Sequence, residues 1–318
     1  MGKSVMTESW SSAATALYGA CVYVKEKLSL VEVMGYTGHA FRINIHADTV
    51  DVAGPTAYDW EKFFTKGLMN LGFTCKAIRT KDFIPPTPEE LTKAISLVQD
   101  SIDKGIPAVA WDMFIPEFGN IYGYDDDKKV FMAKDPKADG HLQYEKLGRG
   151  EIHELFVLTI DKQLEVTETE MLKGALELAV DHAYNREHEF PNPPFENGIK
   201  GYEAWIHAFQ KQKVSDFGNA YNAAVVHDAR KFAALFFEDI SHKESINDDV
   251  RHLAKQTSQK YGEIAEHLNQ LVRMFPFPQG GNPNDPLEAK RAIEILYDAK
   301  GKEEQVIKIL EEMLTKLD

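Results

Sequence analysis

Apolar residues recur along this chain at two different periods, and the change between them divides it. In the first half Leu17, Cys21, Val24 and Leu28 fall at helical spacing behind Thr7 to Ser12, a run rich in N-capping side chains. Trp60, Phe63, Phe64 and Leu68 predict a second helix, opened by Asp59 and closed near Gly72. Thr87-Pro88-Glu89-Glu90 reads as a capping box with proline in the first turn, and Leu91, Ile95, Val98 and Ile102 follow on one face. Strands are then expected over Ile106 to Trp111, Gly119 to Tyr124, Lys129 to Ala133 and Ile152 to Ile160, with Asp125-Asp126-Asp127 as a hairpin turn.

Beyond Leu164 the period is helical to the end, clearest in Val306, Leu310, Met313 and Leu317. The breaks are Pro191 to Pro194, Ser215 to Gly218, and Phe275 to Pro286. Helices followed by a meander of strands predict an α+β domain over 1–163, and the rest an all-α helical bundle over 164–318.

Charge narrows the partners. A formal charge of −14 repels phosphate backbones and anionic headgroups, so neither nucleic acid nor a membrane surface is expected. Cys21 and Cys75, the only cysteines, sit in apolar periodic contexts that suit reduced core residues. The N-terminal stretch lacks the apolar core of a signal peptide and no run is long enough to span a bilayer, so cytoplasm is the expected compartment. No cofactor and no metal are expected. Asp125, Asp126 and Asp127 lack the alternate spacing and distal Glu of a calcium loop. His182 and His188, six residues apart, fall on different helical faces.

Read alone, Ser9 to Leu17 is a serine-rich N-cap and Phe118 to Asp126 a hairpin with a polar tip. A nucleophile at the start of such a helix would be activated by its free amides. Taken together, Ser12-Ala-Ala-Thr-Ala-Leu17, Gly123-Tyr-Asp-Asp126, Asp135-Pro136 and Gly35-Tyr-Thr-Gly-His-Ala-Phe-Arg42 resemble motifs of the papain-like, double-glycine-peptidase-like superfamily. The type is that of the butirosin-biosynthesis acyltransferase N-terminal domain, and the resemblance covers about residues 8–160. It implies a papain-like cysteine peptidase-type fold with a catalytic Cys opening the first helix, a His ahead of the Gly-Tyr-Asp-Asp strand, and an Asp from the Asp-Pro. Ser12, Glu117 and Asp135 stand at those three positions. The second half is similar to helical domains of unknown function that follow this module in bacterial proteins, on Gly201 to Ile206, Gly218 to Ala223 and Phe275 to Pro278.

These departures undo the parent chemistry. A thiolate needs an imidazolium partner, and a serine needs a neutral base. Glu117 and Asp135 would be like charges with no imidazole between them. The expectation is therefore a catalytically degenerate protein that binds a small, amine-bearing molecule or a partner in the ancestral cleft, with Glu8, Trp10, Trp111 and Tyr122 lining it. His39, in its Gly-His-Ala loop, is the candidate for a relocated base. The alternative is an acyltransferase or amide hydrolase with a rebuilt Ser/His/Glu site, and a third expectation is homodimerisation through the helical half. There Trp205, His207, Asn219, Tyr221, Asn222 and His227 gather on two successive helices, a pattern of bundle core.

Overall fold

The structure, a computed structural model, describes residues 8–187 and 194–317. His188 and Pro191 to Pro193, singled out above, lie outside the described residues. In chain order the regular elements are α1 (Ser12–Cys21), α2 (Leu30–Tyr36), β1 (Asn44–His46), α3 (Trp60–Asn70), β2 (Phe73–Arg79), α4 (Pro88–Ile102), β3 (Ala108–Trp111), β4 (Phe118–Asp125) and β5 (Val130–Lys134). They continue with β6 (Asp139–Gln143), β7 (Phe156–Gln163), α5 (Glu168–Ala183), β8 (Phe195–Asn197), α6 (Gly198–Lys211), α7 (Asp216–Ser241), α8 (Asp248–Met274) and α9 (Pro286–Leu317). The fold class is α+β.

The chain forms two compact units, one of residues up to Val33 and from Leu71 to Glu165, the other of Met34–Asn70 and Val166 onward. The division is thus not the single cut expected near 163. Residues 34–70 group with the later helices because those helices supply their partners: Gly35 lies flat against the Phe236 ring, and Arg230 holds the Ala40 and Arg42 carbonyls at 3.1 Å each.

The first unit is an antiparallel sheet in the order β2-β7-β3-β4-β5-β6. Expected strands are recovered with shifted ends, and β7 lies inside the sheet, paired to both β2 and β3. The capping box at Thr87 starts α4, whose Ala94 and Val98 bury against Ala108, Ala110, Ile121, Phe131 and Val157 on one face of the sheet. The alternate residues of the same strands face α1, where Asn120 Nδ2 donates to the Ala16 carbonyl at 2.9 Å. Helix α1 stops at Cys21 although the apolar spacing runs on to Leu28. From Ala20 the amide bonds tighten to three-residue turns, Tyr23 to Ala20 and Val24 to Cys21, and the helix unwinds.

In the second unit α7 packs along α8, α8 along α9, and α5 and α6 against α9. Strands β1 and β8 form a two-stranded antiparallel ribbon. Trp205 is fully buried and donates to Asn219 Oδ1 at 2.8 Å, while Asn222 donates to the Asp51 and Gly218 carbonyls. Trp205, Asn219 and Asn222 are thus interior residues. No helix among the described residues is long and apolar enough to cross a membrane.

Candidate functional site

Ser11 caps α1, its side chain accepting the Ala14 amide, and this places Ser12 in the first helical turn. Ser12 Oγ donates to Glu117 Oε2 in a very short hydrogen bond and accepts the Phe118 amide at 3.2 Å. Ser12 is only 6% exposed. Sequence positions 105 residues apart are thereby brought into one hydrogen-bonded pair.

Glu117 ends the loop between β3 and β4, and two devices shape that loop. Asp112 donates its amide to the Glu117 carbonyl at 3.0 Å, closing the loop at its base. Asp112 adopts a left-handed backbone (φ 52°) and is tightly backed by Gly150, where a Cβ would fall 2.3 Å from the Asp112 carbonyl oxygen. Burial raises the pKa of its carboxyl, opposed by amide hydrogen bonds from Ile152 and Glu151.

Asp135 is the second device. Its Oδ2 accepts the Phe114 and Ile115 amides at 2.8 and 3.1 Å, and its Oδ1 accepts those of Lys137 and Ala138 at 2.9 and 3.1 Å. Four backbone donors occupy the carboxylate, so Asp135 organises two turns. It does not extend the Ser12–Glu117 pair into a triad.

The remaining candidates are scattered. His39 belongs to the other unit, in a short 3₁₀ turn over His39–Phe41. It is 5% exposed and packs on Phe63 and Phe64 at ring separations of 5.0 and 5.6 Å, with Nδ1 2.6 Å from Thr37 Oγ1. Burial, with the Arg42 charge adding to it, lowers its pKa to about 3. It is a neutral core histidine, not a relocated base. Trp111 is buried against Phe118, at a centroid distance of 4.8 Å, so it supports the sheet instead of lining a cleft. Trp10 and Tyr122 are both 42% exposed, and Tyr122 donates its hydroxyl to Asp139. Glu8 is exposed. Cys21 is a buried thiol whose pKa burial pushes well up, and Cys75 is half-buried; neither is in a disulfide.

Two charged clusters escaped the sequence reading, both in the second unit. Arg42, stacked between Tyr58 and Phe63 at 4.2 and 4.3 Å, makes a two-pronged pair with Glu187 at 2.9 and 3.2 Å. His182 completes it: Nε2 accepts the Ile43 amide at 2.9 Å, which leaves Nδ1 to donate to Glu187 at 3.2 Å. Burial opposes ionisation of Glu187, yet Arg42 and His182 hold its pKa well below the usual carboxylate range. In the other cluster Arg230 Nε donates to Glu303 Oε2 at 2.9 Å, and the Tyr202 hydroxyl donates to the same oxygen at 3.0 Å. The available signal was a charge within an apolar helical stripe: Arg230 follows Val226 by four, and Glu303 precedes Val306 by three.

No group of three or more His, Cys, Asp or Glu among the described residues is arranged to hold a metal ion. No protein-family model matches the chain, and no curated protein matches it.

Proposed function

We propose that the first unit is a catalytically degenerate papain-like module that binds a small, amine-bearing molecule through Glu117, in a cytoplasmic protein. The observation that carries this reading is the state of Ser12. Its hydroxyl is enclosed, held between a carboxylate and a backbone amide, and no histidine among the described residues is hydrogen-bonded to it. A carboxylate is too weak a base, by roughly ten pKa units, to deprotonate an alcohol efficiently. The acid that would orient a base, Asp135, is spent on four amides. Glu117 is only partly buried, and the Trp10 indole, two residues from Ser12, is open to solvent. A carboxylate and an aromatic face suit an ammonium group by ion pairing and cation–π attraction.

The Ser12–Glu117 hydrogen bond itself favours a second reading, a hydrolase or acyltransferase in which Glu117 takes the serine proton. Labelling with a fluorophosphonate serine probe, followed by peptide mapping, separates the two. The degenerate module leaves Ser12 unlabelled, and a panel of primary amines raises the melting temperature of the parent but not of Glu117→Gln. Covalent labelling at Ser12 that disappears in Ser12→Ala would hand the site to the second reading. A panel with no stabilising amine removes the binding proposal.

A further inference from the structure

The Asp112 side chain takes no part in the Ser12–Glu117 pair, yet it lies at the base of the loop that presents Glu117. The residue is only 2% exposed, and its two carboxyl oxygens are treated differently. Oδ2 accepts the Ile152 amide at 2.5 Å, with the Glu151 amide assisting. Oδ1 is enclosed and has no hydrogen-bond partner among the described residues. What covers it is Gly150. A Cβ at that position would fall 2.6 Å from Oδ1 and 2.5 Å from Cγ, so a bare α-carbon lies against the carboxyl and brings no donor to it.

The same residue joins two segments of the first unit. Its amide closes the 112–117 loop on the Glu117 carbonyl at 3.0 Å, while its carboxyl gathers the turn over 149–152. Its left-handed backbone (φ 52°) is one that a residue with a Cβ keeps only where its surroundings enforce it. The junction is therefore held under tension.

An ionised carboxylate with one oxygen shut against aliphatic carbon bears a desolvation cost, which the amides on Oδ2 offset only in part. The charges that act on it add to that cost. Glu151, itself 3.9 Å from Lys137 Nζ, and Asp135 are both acidic. A neutral carboxyl avoids the conflict: Oδ2 still accepts as a carbonyl oxygen, and an unpaired hydroxyl against Gly150 costs less than a charge there. We propose that Asp112 is a proton-operated latch on Glu117. Neutral, it holds the 112–117 loop to the 149–152 turn; ionised, it turns Oδ1 to water, parts the two segments and releases the Glu117 carbonyl. Closure raises the pKa of the carboxyl, so acid favours the closed state. That preference is complete below the open-state value of about 4 and fades as pH rises through the closed-state value. As regulation of amine binding the latch rests on the function proposed above, but its opening is read without any ligand.

Hydrogen exchange of the full chain tests it. After correction for the intrinsic exchange rate, protection of the Asp112 and Ile152 amides is expected to fall between about pH 4 and pH 8, roughly tenfold for each unit that closure adds to the pKa. In Asp112→Asn, which copies the shape of the neutral acid, protection is expected to stay at the parent's acid level throughout. The Asp112 carboxyl carbon, followed by NMR in the parent over the same range, is expected to titrate above the ordinary aspartate value, a reading that needs no variant. Protection independent of pH in the parent overturns the latch, as does an equal fall in Asp112→Asn. A carboxyl that titrates at or below about 4 overturns it as well. Amines that fail to bind while protection still follows pH remove the proposed ligand and leave the latch standing.

Discussion

In the first unit a hydroxyl meets a partly buried carboxylate, with one amide assisting; in the second, two arginines meet two carboxylates inside the core. The same ingredients, carboxylates and their donors, are placed in opposite dielectric settings. Near the surface an unmet carboxylate can turn to water, so the Ser12–Glu117 pair is free to change with little loss. In the interior each charge depends wholly on its partner, because an unpaired buried ion bears the full desolvation penalty. The difference teaches where this chain tolerates alteration: the candidate site is replaceable, whereas the attachment of residues 34–70 is not.

Removing Arg230 should expose that contrast most strongly. Arg230→Ala leaves the Glu303 carboxylate and the Ala40 and Arg42 carbonyls without their donor, and about 3–5 kcal/mol of stability should be lost. Urea unfolding measures it. Arg230→Met combined with Glu303→Leu should recover much of the loss, since two matched apolar residues leave no orphaned charge. A loss under about 1 kcal/mol in the single variant would erase the distinction between the two regions.

Asp135→Asn comes next. An amide nitrogen would face two backbone donors in place of a carboxylate oxygen, and about 2–3 kcal/mol should go, with faster proteolysis in the loop between Asp112 and Glu117. If stability were unchanged, Asp135 would be free for the site and a triad would again be open.

Acid should act mainly on the second unit. His39 has a folded pKa of about 3 against about 6.5 unfolded, so the unfolded chain binds a proton that the folded chain refuses. Its contribution is complete above pH 6.5 and is lost as pH falls through the window down to 3, by about 1.4 kcal/mol per unit, or roughly 2 kcal/mol by pH 5. Thr37 and the Phe63 and Phe64 rings face it directly, and Arg42 is the charge that opposes its protonation. His182, also lowered by burial and by Arg42 but opposed by Glu187, adds in the same direction. In His39→Gln the slope of stability against pH between 6 and 5 should shrink; an unchanged slope would mean that this histidine is not buried in solution.

What could be read from the sequence follows the strength of each local signal. The capping box at Thr87 and the apolar face of α4 were legible because cap, proline and period agree, and so was the terminal stripe of α9. Strands β2 and β6 were not, since edge strands are half exposed: β6 reads Asp-Gly-His-Leu-Gln, with a single buried side chain. The grouping of 34–70 was illegible for another reason. It depends on a buried arginine whose partners are backbone carbonyls, and carbonyls carry no sequence mark. At the site, Ser12 opposite Glu117 was legible only through the resemblance, while the diversion of Asp135 to amides was set by turn geometry that spacing does not encode.

The smallest effect is the most pointed. Ser12→Ala deletes one donor to Glu117 and one acceptor for the Phe118 amide, and because Glu117 reaches solvent, about 1 kcal/mol should be lost. Ser12→Cys should be similarly mild, and its thiol should titrate near or above the free value, since the carboxylate of Glu117 opposes a second negative charge while the α1 terminus favours it. Adding Glu117→His replaces that repulsion with an imidazole able to form an ion pair. The new thiol should then ionise below pH 7, read from the thiolate absorbance against a parent whose two cysteines are buried or half-buried. No peptidase activity is expected to appear with it, because Asp135 remains bound to four amides and leaves the imidazole unoriented. If the double variant shows no thiolate at neutral pH, the proposal that positions 12 and 117 stand where a papain-like site would hold its cysteine and histidine is overturned.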